Sequence, residues 1–409
     1  MSTLVSCVLL AAAAVTNAGA ATFEPTRLDD PPRGKCKPRD CSLREAIEAA
    51  NDRVGRDRIL LDKGTYRMEQ VPVPGTASNK DGQFYPSDGV TIRGLGPRKT
   101  KIDANHLDRA FSVATLAPKT VIEGVTIREG DASADPEHPN AGGGLFITGE
   151  DVVLRDVVVK DNQAQFGGGI KAAGDQLTIV NSTIIVNQGQ EGGGIDLRAN
   201  FVQPDVQIRS STISGNTAQN GGGVMVDGTA AGGQVAPILF VENSTIALNF
   251  AFTSAGGVAG GQNAIVVLDN TTVASNGADA DGVGGGLAGG IFQGNNASFQ
   301  LTDSVLALNT VGDSGSGPAC HGEFEGAGSL VDASGSNPNC NFVGLFQPDT
   351  TTTPMIGSLE DNGGPTKTIK LLSGSPAIGI ALGCPNKDQR GKPRPDTGCD
   401  AGAFERKGP

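Results

Sequence analysis

The sequence predicts an all-β solenoid, a single-stranded parallel β-helix with an N-terminal capping helix and a disulfide-bearing C-terminal cap. Three observations predict it. The first is a recurring phrase, read as LRDVVVKDN, IVNSTIIVN, IRSSTISGN, VENSTIALN, LDNTTVASN and LTDSVLALN, which ends on Asn162, Asn187, Asn216, Asn249, Asn276 and Asn309. Its centres, Gly94, Gly124, Asp156, Asn181, Ser210, Asn243, Asn270 and Asp303, lie 25 to 33 residues apart, the range of one solenoid coil. The second is a pair of apolar columns. One, two residues before each centre, reads Ile122, Leu154, Ile179, Ile208, Val241, Leu268 and Leu301; the other, three after, reads Ile127, Val159, Ile184, Ile213, Ile246, Val273 and Leu306. A flat strand sends positions of opposite parity to opposite faces, so both columns point inward only if the chain turns a corner between them. The third is composition: 60 Gly, no Trp and 4% aromatics leave too few large side chains for compact cores in 409 residues, whereas a narrow stack of aliphatic coils needs none.

The elements follow in order. Residues 1–20 carry no charge, hold an apolar run from Val8 to Val15 and end Ala18-Gly19-Ala20, the pattern of a cleaved signal peptide. Leu4-Val5-Ser6-Cys7 has the look of a lipoprotein box but precedes the apolar run, which argues against lipidation at Cys7. Residues 36–70 read as an N-terminal cap. Ser42 with Glu45 forms a capping box, and Leu43, Ala46, Ile47 and Ala50 share the helical face that would cover the open end of the stack. Ile59–Leu61 and Thr65–Met68, joined by Asp62-Lys63-Gly64, are its first strands.

Residues 71–310 are the β-helix coils. Each closing Asn tolerates left-handed φ, and its amide can bond the Asn of the next coil at the strand spacing of about 4.8 Å, giving a ladder inside the turn. Glycine triplets at Gly142–Gly144, Gly167–Gly169, Gly192–Gly194, Gly221–Gly223 and Gly284–Gly286 supply further corners. A phosphate loop would need strand, glycine loop and helix with a Lys; these triplets lead into more strands. Residues 311–409 lose the periodicity and read as a turn-rich module covering the far end, with no transmembrane segment left once 1–20 is removed.

Removal of 1–20 takes Cys7 and leaves six cysteines in three sequence-local pairs. Locality favours Cys36 with Cys41, Cys320 with Cys340 and Cys384 with Cys399 among the fifteen pairings open to six thiols. Such pairs suit an oxidising compartment, hence a secreted or cell-surface location, and their spacing does not fit a metal site. The net charge of −12 shows no basic stripe in the sequence, which argues against nucleic acid and anionic membranes as partners.

CSLREAIEAAN, Cys41 to Asn51, resembles the CSLREA module found at the start of bacterial secreted β-helix proteins. LEDNGGPTKT, SGSPAIG and DQRGKPRPDTGCDAGAFE near the C-terminus are similar to the choice-of-anchor Q domain of surface proteins, and the coils between resemble right-handed parallel β-helices, including polymorphic outer-membrane protein repeats. The resemblance implies a right-handed coil and surface display or secretion, with no assigned activity.

Candidate chemistry is sparse. The outward column Glu123, Arg155, Val180, Arg209, Glu242 and Asp269 alternates in sign, as a solvated ion-pair stack does. A lyase of the pectin-lyase-like class would need an Arg or Lys base beside Ca²⁺-binding acids, and Arg155 with Asp156, or Arg209, are its suspects; a hydrolase would need convergent carboxylates. Asp131, Asp135, Glu137 and His138 gather in one insertion, and Asp279 and Asp281 in another, but neither completes a Ca²⁺ loop, and His106, His138 and His321 are scattered. The expectation is therefore a monomeric, exported surface protein that holds glycans or host or cell-surface components without catalysis. No cofactor is expected, Ca²⁺ being the one candidate. A polysaccharide lyase or glycoside hydrolase is the alternative.

Overall fold

The computed structural model describes residues 19–32, 34–72, 82–113, 119–134, 140–174, 176–198, 203–228, 235–279, 285–312, 319–333, 340–343 and 347–406. Residues 1–18 with Cys7 lie outside them, as do Asp135, Glu137, His138, Asp281 and Gly284.

The coils lay their strands into three main parallel sheets, and the later ones add a short fourth strand, Thr217–Asn220, Phe250–Ser254, Gly277–Ala278 and Thr310–Val311, stacked in a sheet of its own. The first sheet stacks Asp151–Arg155, Gln176–Val180, Asp205–Arg209, Ile238–Glu242, Ile265–Asp269 and Ser298–Thr302 in parallel, with Leu154, Ile179, Ile208, Val241, Leu268 and Leu301 in register. The second places Ile127, Val159, Ile184, Ile213, Ile246, Val273 and Leu306 in register. Both columns are buried. The chain turns between them on one left-handed residue, at Gly124, Asp156, Asn181, Ser210, Asn243, Asn270 and Asp303, all with φ between 45° and 67°. That turn is what brings two positions of opposite parity to one core. The third sheet runs through Leu145–Ile147, Ile170–Ala172, Ile195–Arg198, Val224–Asp227, Val258–Gly260 and Ile291–Gln293.

A glycine triplet leads into the third sheet. In Gly192–Gly194 the first residue has φ +64°, and a Cβ on the second or third would sit 2.5 Å from Thr217 O or Gly223 O of the next coil. Coils this close admit no side chain there. The closing asparagines point inward: Asn187 Nδ2 donates to Asn216 Oδ1 (3.0 Å), Asn216 Nδ2 to Asn249 Oδ1 (2.9 Å) and Asn249 Nδ2 to Asn276 Oδ1 (3.0 Å), with Asn162 and Asn309 at the two ends. The asparagines themselves are not left-handed. The residue before each is: Asp161, Val186, Gly215, Leu248, Ser275 and Leu308 carry φ between 54° and 64°.

Helix α1, Leu43–Asn51, closes the N-terminal end with the Ser42–Glu45 capping box formed and Leu43, Ala46, Ile47 and Ala50 buried. Arg44 is buried as well. Its Nε and Nη2 donate to the two oxygens of Asp30 at 2.7 Å, the guanidinium also donates to Gly82 O and Gln83 O, and it stacks 4.9 Å from the Phe84 ring.

Two expectations are corrected. Parallel rungs do not stop at 310: Cys320–Ala327 pairs with strands of both the first and third sheets, and Leu330–Asp332 and Asp349–Thr351 extend the second sheet to eleven strands that begin at Gly64–Arg67. Nor does the C-terminal segment cover the far end. Residues 356–406 double back along the outside of the second sheet, where Ile369, Leu371, Ala377, Ala401 and Phe404 pack on Ala247, Ala274, Val305, Ala307 and Leu330. The reason lies in the outward positions of the second sheet, which are charged in the early coils (Arg128, Lys160) and small in the later ones (Ala247, Ala274, Ala307). Small apolar residues facing outward need cover, and the returning strap provides it. Bonds join Cys36 to Cys41 before the helix, Cys320 to Cys340 across two rungs, and Cys384 to Cys399 within the strap.

Candidate functional site

The outward column of the first sheet forms a solvated ion-pair stack. Glu123 receives Arg93 (3.4 Å) and Arg155 (3.2 Å), and Arg209 meets Glu242 at 3.2 Å. Arg155 and Arg209, the suspects for a lyase base, are thus engaged with carboxylates on an exposed face. Asp131 accepts from Ser133 N and Gln163 Nε2, His106 lies 3.9 Å from Glu129, and His321 stacks on Phe292. Among the described residues no three His, Cys, Asp or Glu side chains converge as a metal site.

A cluster that the sequence did not reveal lies on the third sheet. Register sets Lys171 beside Asp196 and Arg198 beside Asp227. Lys171 Nζ donates to Asp196 Oδ2 at 2.6 Å; Arg198 reaches Asp196 (3.6 Å), Asp227 (3.9 Å) and Glu191 (4.0 Å), and lies 4.9 Å over the Phe166 ring. Burial lowers the proton affinity of Lys171 against the pull of Asp196, and burial likewise pushes the Glu191 carboxyl above its usual range. Lys171 and Asp196 are 6% and 0% exposed, so no substrate reaches them without movement of their surroundings.

The open concavity is elsewhere, on the corner between the first and second sheets. A groove of about 560 Å³ has outward Val158, Thr183, Ile185, Thr212 and Ser214 as its floor, the loop Leu95–Lys99 as one wall and the strap segment Gly364–Lys367, with Asp361, as the other. Thr212 Oγ1 donates to Lys367 O at 2.6 Å, tying the strap wall to the floor. A second hollow of about 750 Å³, lined by Arg58, Arg93, Glu123 and Arg155, shares Leu95, Gly96 and Asp156 with the first, so one concave surface wraps the corner. The repeat does not reveal it, because one wall comes from a segment outside the repeat.

The three main sheets of stacked coils, the single-residue corner and the parallel register define a class. No protein-family model matches the sequence, and no curated protein does. Among solved structures, the crystal structure of pectate lyase Pel9A is similar over 96% of this chain and 98% of that one, at a TM-score of 0.55 and 13% identity. The catalytic domain of a GH87 alpha-1,3-glucanase is similar over 79% of this chain and 69% of that one, at a TM-score of 0.28 and 9% identity, too distant to carry an argument. The chain has the pectate-lyase-like fold, a right-handed parallel β-helix.

Proposed function

We propose that this is an exported, monomeric β-helix, secreted or displayed at the cell surface, that holds a glycan on its flank and does not cleave it. The observation that carries the reading is the contrast between the two polar sites. The open groove offers the half-buried Thr183 beside Val158 and Ile185 on its floor, a surface suited to a sugar hydroxyl and ring faces. The lysine whose proton affinity is lowered, Lys171, is closed off and committed to Asp196. Three disulfides suit an oxidising compartment, and the resemblance of Cys41 to Asn51 to the CSLREA module, and of the C-terminal segment to the choice-of-anchor Q domain, supports display.

One observation favours a polysaccharide lyase as the second reading: a lysine of lowered proton affinity stands among Asp196, Glu191 and Asp227 in a chain shaped like a pectate lyase. Affinity electrophoresis through gels containing uronic-acid or neutral polysaccharides tests the proposal. Retarded migration in at least one glycan gel is the expected result; unchanged mobility in all of them would sink it.

A further inference from the structure

The concave corner gathers charge that the sequence scatters. Arg58, Arg93, Arg98, Lys99, Arg155 and Lys367 come from the first sheet, the 95–99 loop and the strap, and all six are exposed. Opposing them are three carboxylates, Glu123, Asp156 and Asp361. Glu123 is shared between Arg93 and Arg155, while Arg58, Arg98, Lys99 and Lys367 have no ion-pair partner among the described residues. Six cations against three anions leave the hollow at +3 in a chain whose net charge is −12. A cleft lined by one sign of charge concentrates ligands of the other, and here the rest of the surface repels those same ligands, so capture is directed to the corner.

The shape adds a second constraint. The floor steps across Val158, Thr183 and Thr212 of three adjacent coils, and the wall at Leu95–Lys99 lies two coils further toward the N-terminus. The four steps between these five coils, at about 4.8 Å each, make a trough of roughly 20 Å, the reach of an oligosaccharide and not of a single sugar. Leu95 is 54% exposed and stands on the ridge between the two hollows, an apolar contact for a ring face.

From these observations we infer that the corner hollow is a binding site for an anionic polysaccharide, carboxylated or sulfated, held by Arg58, Arg93, Arg98, Lys99, Arg155 and Lys367. This rests on the glycan-holding reading and gives it a ligand class and a place, on a different face from the Lys171 cluster. Arg98 and Lys99 are the residues to test. They sit in an exposed loop without partners, so their reversal leaves the coil bonds intact.

Affinity electrophoresis with polygalacturonate, dextran sulfate and neutral dextran in separate gels supplies the test. Wild-type protein is expected to be retarded by polygalacturonate, dextran sulfate or both, and far less by dextran, with retardation fading as salt rises from about 50 to about 500 mM. The double variant Arg98→Glu with Lys99→Glu, and separately Lys367→Glu, should weaken that binding about tenfold or more. Lys35→Glu with Lys37→Glu, exposed and outside the hollow, should leave it near the wild-type value. Carboxylate-only or sulfate-only binding identifies the anionic group and supports the site. Equal retention on dextran, or variants that bind anionic gels like wild type, overturns the inference while leaving a glycan-holding protein. Free migration in all three gels overturns both.

Discussion

Val186 sits at φ +55° and is 54% exposed, in backbone that a β-branched residue enters only under strain. The next coil has Gly215 at the same station with φ +64°, so the fold accepts glycine there. Val186→Gly should therefore raise stability, by about 1 kcal/mol, measured as a shifted urea midpoint at unchanged slope; an unchanged or lower midpoint refutes local strain. The neighbouring asparagines were legible because one residue type recurs at one phase. Their left-handed neighbours were not, since Asp161, Val186, Gly215, Leu248, Ser275 and Leu308 share no chemistry. Lys171 and Asp196 were hidden for another reason: they meet only through register, one coil of 25 residues apart. Because burial lowers the proton affinity of Lys171, the unfolded chain binds more protons between that lowered value and the ordinary lysine value of about 10.4. Its contribution to stability thus rises with pH across that window. Lys171→Met should lose this rise relative to wild type, and at pH 7 should cost about 3 kcal/mol by leaving Asp196 short of a partner. Parallel stability-against-pH curves for wild type and variant would contradict the assignment.

The strap is the element on which sequence and structure part most clearly. Its turn-rich composition reads as a cap, and turns alone do not say which surface they cover. Its anchor is Gln389, fully buried, whose two Nε2 hydrogens are shared among four acceptors within reach, Thr212 Oγ1 (2.9 Å), Thr366 Oγ1 (2.9 Å), Ser211 O (3.1 Å) and Lys367 O (3.1 Å), while Oε1 accepts from Thr245 Oγ1 (2.6 Å). Asp303 accepts from Leu382 N and Gly383 N further along. Gln389→Leu leaves several buried groups unpaired at about 1–3 kcal/mol each, more than a segment clamped from one side sustains. Limited proteolysis should then cut residues 361–371 faster while the coils stay resistant. Loss of protection across the coils as well would mean that strap and solenoid unfold as one unit. The end-capping helix, by contrast, was readable from Ser42, Glu45 and one apolar face, because its signal is local. Its pairing with Asp30 through Arg44 was not, since Asp30 lies outside the helix pattern.

At the scale of the molecule, repetition made the solenoid legible and the ligand illegible. Each coil repeats the residues that hold coils together, so the signal that reveals the stack says nothing of what it binds. The concave corner appears only when a loop between early coils and a returning strap are set against the same sheet, and its charge only when residues from Arg58 to Lys367 share one hollow. Pectate lyase Pel9A shares this overall shape at 13% identity, a level that fixes the fold and leaves the chemistry to the side chains present. On the proposed reading those side chains hold a glycan and do not cut it. The most direct measurement is recovery of a defined-length oligogalacturonide after prolonged incubation with the purified protein, with and without added Ca²⁺, read by mass spectrometry. A holding protein returns the oligomer at its original length under both conditions; shorter products, with unsaturated ends or new reducing ends, would contradict it.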